Sequence, residues 1–269
     1  MSSSAFRVHS VAADRDWLER AVDAHQRTLS AGESVLKDEH KTTITRIVHD
    51  GCAAVVKHYR YIGVRFWLKG LLRTHPAWRS LRASVEMARR GVPTPAVLGL
   101  VERRRLGLLA EAWLITDDTA NAVEMDRYVL RNFPVGCDRL RRRRFVLAFA
   151  DTFRHLMESG ISHRDLKTCN ILVVEDGQSW RFTFIDLDDV SVRSESWRAN
   201  RDDWILALAQ LNPSTPKILP WTDRLRFLDR LGEVIQFPRK PLVARVQELS
   251  RRRRRAYFSD EGTVEIDFV

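Results

Sequence analysis

The run His163-Arg-Asp-Leu-Lys-Thr-Cys-Asn-Ile-Leu172 decides the fold of this chain. Within it, Asp165 carries a carboxylate that can orient and deprotonate a hydroxyl. Asn170, five residues further on, offers an amide oxygen that can hold a metal ion on nucleotide phosphates. Lys167 lies between them and can neutralise charge on a phosphoryl group in transfer. On the residues alone, the alternative is a basic loop that contains an Asp and an Asn by chance.

A predicted strand hairpin follows this run and ends on another acidic side chain. The apolar segments 171–174 and 180–185 are separated by the turn-prone Glu175-Asp-Gly177. The second segment leads to Asp186, sixteen residues after Asn170. An amide oxygen and a carboxylate suit Mg²⁺ when phosphates and water supply its other ligands. We therefore predict that Asn170 and Asp186 bind Mg²⁺, although an isolated Asp at a strand end is usually a turn residue.

Both segments resemble motifs of the protein kinases. The run from His163 matches the catalytic loop H-R-D-L-x-x-x-N at all five fixed positions, which argues against a chance match. Asp186 stands at the place of the metal-binding Asp of D-F-G, with Leu187 and Asp188 in place of Phe and Gly. The missing glycine removes the hinge on which an activation segment flips. The resemblance implies a reaction with ATP in which the Asp and Lys of the loop are catalytic.

Further parts of the kinase pattern are expected upstream. Gly51-Cys-Ala-Ala-Val-Val-Lys57 resembles the V-A-I-K strand, whose Lys pairs with the α- and β-phosphates, although alone it reads as a solvated edge lysine. The glutamate that should pair with Lys57 is Glu86, which stands late in the next predicted helix and could equally face solvent. Ile115 and Asp117 belong to the expected interlobe hinge, whose backbone would meet adenine.

The hairpin at 34–47 stands where a glycine-rich phosphate loop is expected, yet it contains no glycine. Its turn at 38–41 can still bring backbone amides to a phosphate, and Lys41 and Thr42 add side-chain donors. We therefore predict that Lys41 and Thr42 contact ATP.

These departures point to one branch of the kinases. The segments 56–60, 90–95 and 185–190, with the glycine-free loop, resemble the lipopolysaccharide kinases that phosphorylate Kdo or heptose of the inner core. The resemblance spans roughly Ser34 to Ser214. It implies an α+β, bilobal protein-kinase-like fold with a small β-rich N-lobe and a larger, mainly helical C-lobe. It also implies ATP with Mg²⁺ and a sugar hydroxyl of the lipopolysaccharide core, or of another sugar-containing molecule, as acceptor.

Two other functions stay open on the sequence. A compact protein serine/threonine kinase would carry the same catalytic loop. However, only fifteen residues separate Asp186 from Asp202, and they contain no Ala-Pro-Glu, which leaves little room for a peptide-docking segment. A non-catalytic nucleotide-binding pseudokinase would explain the missing glycines, but the retained Lys57, Asp165 and Asn170 argue against it.

The pattern predicts three parts along the chain. These are a helical extension at 1–29, a kinase-like N-lobe at 30–117, and a C-lobe with a basic C-terminal tail at 118–269. In the C-lobe, apolar residues at helical spacing predict a helix at 139–158. Asp202, at the start of another predicted helix, is expected to brace the backbone of the catalytic loop.

Charge predicts the surroundings in which the protein works. The formal net charge is +10, with arginine clusters at 103–105, 141–144 and 251–255. These clusters are either solvated helix faces or a surface that attracts an anionic membrane or the phosphates and carboxylates of a lipopolysaccharide core. We expect the second. No nucleic-acid partner is expected, because no base-reading module accompanies the charge.

Hydropathy and cysteine usage predict the compartment. The longest apolar runs are broken by charge, and the N-terminus lacks the apolar segment of a secretory signal. The three cysteines have no metal-type spacing and fit a reducing environment, and Cys169 is expected to be a packing residue. These features favour a cytoplasmic protein. The resemblance to the lipopolysaccharide kinases, with the arginine clusters, implies that it is peripheral at the inner membrane of a bacterium.

Overall fold

The computed structural model describes residues 6–60, 74–105, 108–193, 201–235, 238–251, 254–258 and 264–268. The chain divides into two compact units, each with its own core. The first comprises residues 1–85 and 95–120, and the second comprises residues 86–94 and 121–269.

The first unit is rich in strands. They are β1 (Arg7–Ser10), β2 (Val35–Asp38), β3 (Thr42–His49), β4 (Cys52–Arg60), β5 (Val97–Arg105) and β6 (Leu108–Asp117). The six strands form one antiparallel sheet in the order β1-β5-β6-β4-β3-β2. The helices among the described residues of this part are α1 (Arg15–Ala31) and α2 (Pro76–Arg89), and the end of α2 belongs to the second unit.

Successive side chains of β6 point to opposite faces of this sheet and pack into a different cluster on each face. Trp113 and Ile115 are buried in a cluster with α1, whereas Leu114 is buried in a cluster with α2 on the opposite face. The backbone of β5 approaches α1 so closely that a Cβ at Gly99 would overlap the Leu18 side chain. Glycine is therefore required at this point of contact.

Both ends of α1 are fixed by local sequence. Asp14 accepts a hydrogen bond from the Trp17 amide at 2.8 Å, and the helix ends at Gly32 with φ 72°. The predicted helix near the N-terminus is thus present. Residues 1–29 also contain β1, which pairs with β5 at the edge of the sheet and which the helical-extension prediction lacked.

The second unit is mainly helical. Its helices are α3 (Met125–Asn132), α4 (Arg139–Glu158), α5 (Arg201–Ser214), α6 (Trp221–Ile235) and α7 (Arg239–Arg251). Its strands are β7 (Val123–Glu124), β8 (Ile161–His163), β9 (Ile171–Asp176), β10 (Ser179–Phe184), β11 (Val190–Val192), β12 (Arg254–Phe258) and β13 (Val264–Phe268). They form three small antiparallel sheets, β10-β9-β7, β11-β8 and β12-β13.

Helices α4 and α6 lie side by side and run in the same direction. Arg142 near the start of α4 bonds Asp223 near the start of α6 at 2.7 Å. Asp151 accepts from Arg230 at 2.8 Å further along both helices. Stacked and edge-on phenylalanines fill the interface between these contacts.

The prediction of a mixed helix and strand fold with antiparallel sheet is confirmed. The helix predicted at 139–158 is α4, and the hairpin predicted after the catalytic loop is β9 and β10. Within the described ranges, no helix combines the length and the apolar character that a membrane crossing requires.

Candidate active site

The catalytic-loop run lies between β8 and β9 in the second unit. His163, the last residue of β8, is completely buried, and its Nε2 donates to the Ile185 carbonyl at 3.1 Å. Burial lowers the pKa of His163, so the ring is neutral near pH 7. The Arg164 amide donates to the Asp189 carbonyl at 3.2 Å, and the Ile185 amide donates to the Asn170 carbonyl at 3.0 Å. These three hydrogen bonds tie the loop to the segment that follows β10.

Inside the loop, Lys167 holds the Asp165 carboxylate. Its Nζ lies 2.8 Å from Oδ1 and 3.0 Å from Oδ2. The Asp165 carbonyl accepts from Asn170 Nδ2 at 2.8 Å and from the Lys167 amide at 3.1 Å. A carboxylate, an ammonium and an amide are therefore held together by bonds within six residues of sequence.

Asp186 follows β10 with φ 58° and ψ 59°, a left-handed conformation that Asp and Asn adopt more readily than most residues. Because Asn170 Nδ2 is used by the loop, its Oδ1, 3.8 Å from the Cys169 thiol, can face a cation. An amide oxygen and a carboxylate fit Mg²⁺. Over the described ranges there is no group of three or more His, Cys, Asp and Glu side chains that could hold a metal. An ion at Asn170 and Asp186 would take its remaining ligands from phosphates and water.

The segment after Asp186 closes back on the loop. Leu187, at the Phe position of D-F-G, is buried, and 187–189 form a single 3₁₀ turn. Strand β11 then pairs with β8, which places Val190 opposite His163. With no glycine in this turn, its backbone lacks the freedom that the D-F-G hinge has in protein kinases.

Helix α5 braces the loop from behind, through contacts that the sequence did not indicate. Thr168 is completely buried, and its amide donates to Ser214 Oγ at 3.0 Å. Its hydroxyl donates to the Ser214 carbonyl at 2.6 Å. Gln210 Nε2 donates to the Arg164 carbonyl at 3.2 Å. Threonine and serine carry no motif signal at a separation of 46 residues, so only the fold brings them together.

The acidic residue near the start of α5 that reaches the loop is Asp203. Its carboxylate lies 3.5 Å from the Arg164 guanidinium and 3.2 Å from that of Arg193. Asp202, which we expected to brace the loop, is exposed on the other side of the first turn. The prediction for Asp202 was wrong, because one residue turns a side chain by about 100° around a helix. Asp203 reaches the side chain of Arg164, not the loop backbone that the prediction named.

The segment at 90–95 also supports the site. Arg90 Nη1 donates to the Ser159 carbonyl at 2.6 Å and to the Arg193 carbonyl at 2.7 Å. The Phe184 amide, at the end of β10, donates to the Pro93 carbonyl at 3.0 Å. This segment therefore anchors the strand that leads to Asp186.

Glu86 lies late in α2, in the portion that belongs to the second unit. Its Oε1 accepts from Arg90 Nε at 2.8 Å, and its Oε2 lies 3.6 Å from Arg89. A pairing of Glu86 with Lys57 stays a prediction.

In the first unit, Lys57 lies on β4 between Ile44 of β3 and Leu114 of β6. Its ammonium is 5.1 Å from the centre of the Tyr59 ring. Lysine here belongs to an interior strand, not to an edge of the sheet.

The glycine-free hairpin joins β2 to β3. Glu39 and Thr42 each donate an amide hydrogen bond to the other's carbonyl, at 3.0 and 3.2 Å. One amide of the predicted phosphate turn, that of Glu39, is thus already paired, as is the amide of Thr42 beside the turn. Lys41 is exposed beside them.

The two hinge residues differ in environment. Ile115 is completely buried, and β6 pairs with a strand on each side of it. Asp117, at the end of β6, donates its amide to the Ala96 carbonyl at 2.9 Å. Burial raises the pKa of its carboxyl group. The end of β6 is therefore the more open part of the predicted hinge.

Burial also raises the pKa of the Cys169 thiol to about 12, with further contributions from neighbouring carboxylates. The thiol stays protonated at physiological pH and is a poor nucleophile. The side chain is half-buried, and a packing role or an incidental placement stays a prediction.

The sequence matches one family model, and the fold is similar to that of a solved structure. Residues 41–225 match the family model described as lipopolysaccharide kinase (Kdo/WaaP) family. A search of curated proteins found no match. Among solved structures, the fold is similar to that of a WaaP protein in complex with acyl carrier protein. The TM-score is 0.64 at 19% identity, over 91% of this chain and 98% of that chain.

Proposed function

This chain belongs to the lipopolysaccharide kinase (Kdo/WaaP) family, and from that premise we propose that it transfers the γ-phosphoryl group of ATP to a sugar hydroxyl, of Kdo or heptose, in the lipopolysaccharide inner core. The observation that carries the proposal is the Asp165–Lys167 ion pair, joined through Asn170 to the segment of Asp186. This is the part of the chain where an acceptor hydroxyl, a phosphoryl group and a metal ion can each meet a suitable side chain.

In the proposed reaction, the acceptor hydroxyl oxygen forms a bond to the γ-phosphorus while the bond to the β,γ-bridging oxygen breaks and ADP leaves. Asp165 accepts the hydroxyl proton, and Lys167 offsets negative charge on the phosphoryl oxygens. Asn170 and Asp186 would hold Mg²⁺, which neutralises phosphate charge when bound.

Nucleotide contacts from the first unit complete the proposal. Lys57 would pair with the α- and β-phosphates and with Glu86, and Lys41 and Thr42 would add donors from the hairpin. Backbone groups near Ile115 and Asp117 would meet adenine. Of these, the Lys57 assignment has the best support, because its strand lies in the interior of the sheet.

A protein kinase is the less suitable alternative. Residues 187–192 are already used by a single turn and by β11, which pairs with β8. Such a segment offers little chain for docking a peptide. A pseudokinase is disfavoured because Asp165 and Lys167 keep a geometry suited to catalysis.

The decisive experiment measures ADP release with purified inner-core oligosaccharide and, in parallel, with a generic protein substrate. We expect Mg²⁺-dependent turnover with the oligosaccharide, and mass spectrometry of the product identifies Kdo or heptose as the phosphorylated sugar. Phosphorylation of the protein substrate alone would replace the proposal with a protein kinase.

We further propose that the enzyme works at the cytoplasmic face of the bacterial inner membrane, held peripherally by arginines. Within the predicted clusters, Arg103 pairs with Glu111 and Arg141 with Glu175, so those two are partly neutralised by the protein itself. The cluster at 251–255 falls largely outside the described side chains.

A further inference from the structure

Three large apolar side chains are exposed among those that the structure describes in the second unit. Val135 is 94% exposed, Leu140 is 68% exposed and Trp221 is 54% exposed. Single exposed apolar residues are common, but a group of them close together marks an interaction surface.

The three side chains lie at one end of the unit. Leu140 is the second residue of α4 and Trp221 is the first residue of α6. Because α4 and α6 run parallel, their first turns lie together, joined by the Arg142–Asp223 bond. Val135 belongs to the turn just before α4, where Cys137 Sγ lies 3.4 Å from the Arg142 guanidinium.

The start of α4 breaks the usual charge pattern of helices. Five of its first six residues are arginines, and its first turn contains no acidic residue. Positive charge at a helix N-terminus is unfavourable, because the helix dipole is already positive there. Asp138 caps the helix with its carboxylate, and an arginine that pairs with an acidic side chain is explained locally. An exposed arginine without such a partner indicates a function outside the helix itself.

The structure identifies which of these arginines are committed to internal contacts. Arg141 bonds Glu175, Arg142 bonds Asp223 and Arg144 bonds the Gln178 amide. Arg139 and Arg143 are exposed, and neither pairs with an acidic side chain in the parts of the chain described. They are four residues apart on one helix face, beside Leu140.

We propose that these five side chains, Val135, Arg139, Leu140, Arg143 and Trp221, form a docking face that binds an anionic lipid surface. Tryptophan and leucine suit the boundary between headgroups and acyl chains. The two arginines attract the negative headgroups. The inference rests on the proposed function, since it gives the enzyme a way to reach a sugar linked to a lipid.

The test uses the full chain and sedimentation with phosphatidylcholine vesicles that contain or lack phosphatidylglycerol. We expect binding to the anionic vesicles only. Arg139→Gln with Arg143→Gln should weaken it about 25-fold, since each basic residue near such a surface contributes about fivefold. Leu140→Ser with Trp221→Ser should abolish the part of the binding that persists at high salt.

The matched control is Arg27→Gln with Leu36→Ser, which removes one exposed arginine and one exposed leucine from the first unit. The control should bind as the wild type does. Equal weakening of the control and the docking-face variants, or wild-type binding to neutral vesicles, would overturn the proposal.

A parallel assay separates this inference from the proposed function. Turnover with a soluble inner-core oligosaccharide needs no membrane, so the docking-face variants should keep the wild-type rate. Normal turnover without lipid binding removes the docking face alone. Lipid binding through these residues without any turnover leaves the docking face and removes the proposed reaction.

Discussion

Asp165 shows how the catalytic loop combines charge with rigidity. Its carboxylate oxygens both lie within 3.0 Å of Lys167 Nζ, while its carbonyl accepts from Asn170. The carboxylate of Asp165 would meet the acceptor hydroxyl, and the carbonyl of Asp165 holds Asn170, which would meet the metal. Two substitutions can separate these roles.

Asp165→Asn keeps the shape of the side chain but cannot accept a proton. We expect kcat to fall by about 10²–10⁴-fold, the usual contribution of a general base, while ATP affinity is unchanged. Asp176→Asn, at the exposed end of β9, is the matched control and should be silent. An equal loss of nucleotide affinity in Asp165→Asn would make Asp165 a structural residue or a metal ligand.

Asp186→Asn tests the metal assignment without straining the backbone. Asparagine tolerates the left-handed conformation at φ 58°, whereas alanine would not. We expect Mg²⁺-dependent nucleotide binding, measured by calorimetry, to be lost. Asp189→Asn removes the same charge three residues away and should bind as the wild type does. Unchanged binding in Asp186→Asn would remove the residue from the metal site.

At the scale of elements, the sequence predicted what is local and missed what depends on distant partners. Helix α4 and the β9–β10 hairpin follow from apolar periodicity and turn residues, which lie within one stretch of chain. Strand β1 was missed because four mostly polar residues form a strand only through β5, about ninety positions away. Thr168 and Asp203 were missed or misplaced for the same reason, since only folding brings α5 to the loop.

Buried histidines join α1 to the sheet of the first unit. His25 of α1 is completely buried and bonds Thr45 at 2.7 Å. His58 of β4 stacks on Trp113 at 4.6 Å, next to Glu111. Burial lowers the pKa of each histidine to about 4, and neighbouring positive charges add to the shift.

These shifts predict loss of stability in mild acid. The unfolded chain takes up protons on both histidines below about pH 6.5, whereas the folded chain does so only near pH 4. The free energy of unfolding should therefore be flat above pH 7 and fall by about 2 kcal/mol per histidine at pH 5. In urea unfolding, the free energy of unfolding of His25→Gln should fall less between pH 7 and pH 5 than that of the wild type. The exposed control His40→Gln should show the same fall as the wild type. Equal slopes in all three proteins would contradict the buried-neutral assignment.

At the scale of the whole molecule, the net charge follows directly from the sequence, but the position of that charge on the surface does not. The net of +10 is a property of composition, but its use depends on which arginines the fold leaves without acidic partners. Arg142 is committed to Asp223 and Arg143 is not, although they are adjacent in the same cluster. Sequence could not separate them, because Asp223 lies on a helix whose parallel packing no local pattern indicates.

Net charge also predicts how the reaction responds to salt. A strongly basic enzyme attracts an acceptor that carries carboxylates and phosphates, and this attraction weakens as the Debye length shortens from about 10 Å at 0.1 M to about 3 Å at 1 M. We expect kcat/KM for the anionic inner-core oligosaccharide to fall about tenfold over that range, with kcat nearly constant, because the chemistry follows binding. A neutral heptose acceptor provides the comparison, and its kcat/KM should fall little over the same range of salt. If both acceptors responded alike, salt would be acting on ATP binding or on stability, and the basic surface would have no part in choosing the acceptor.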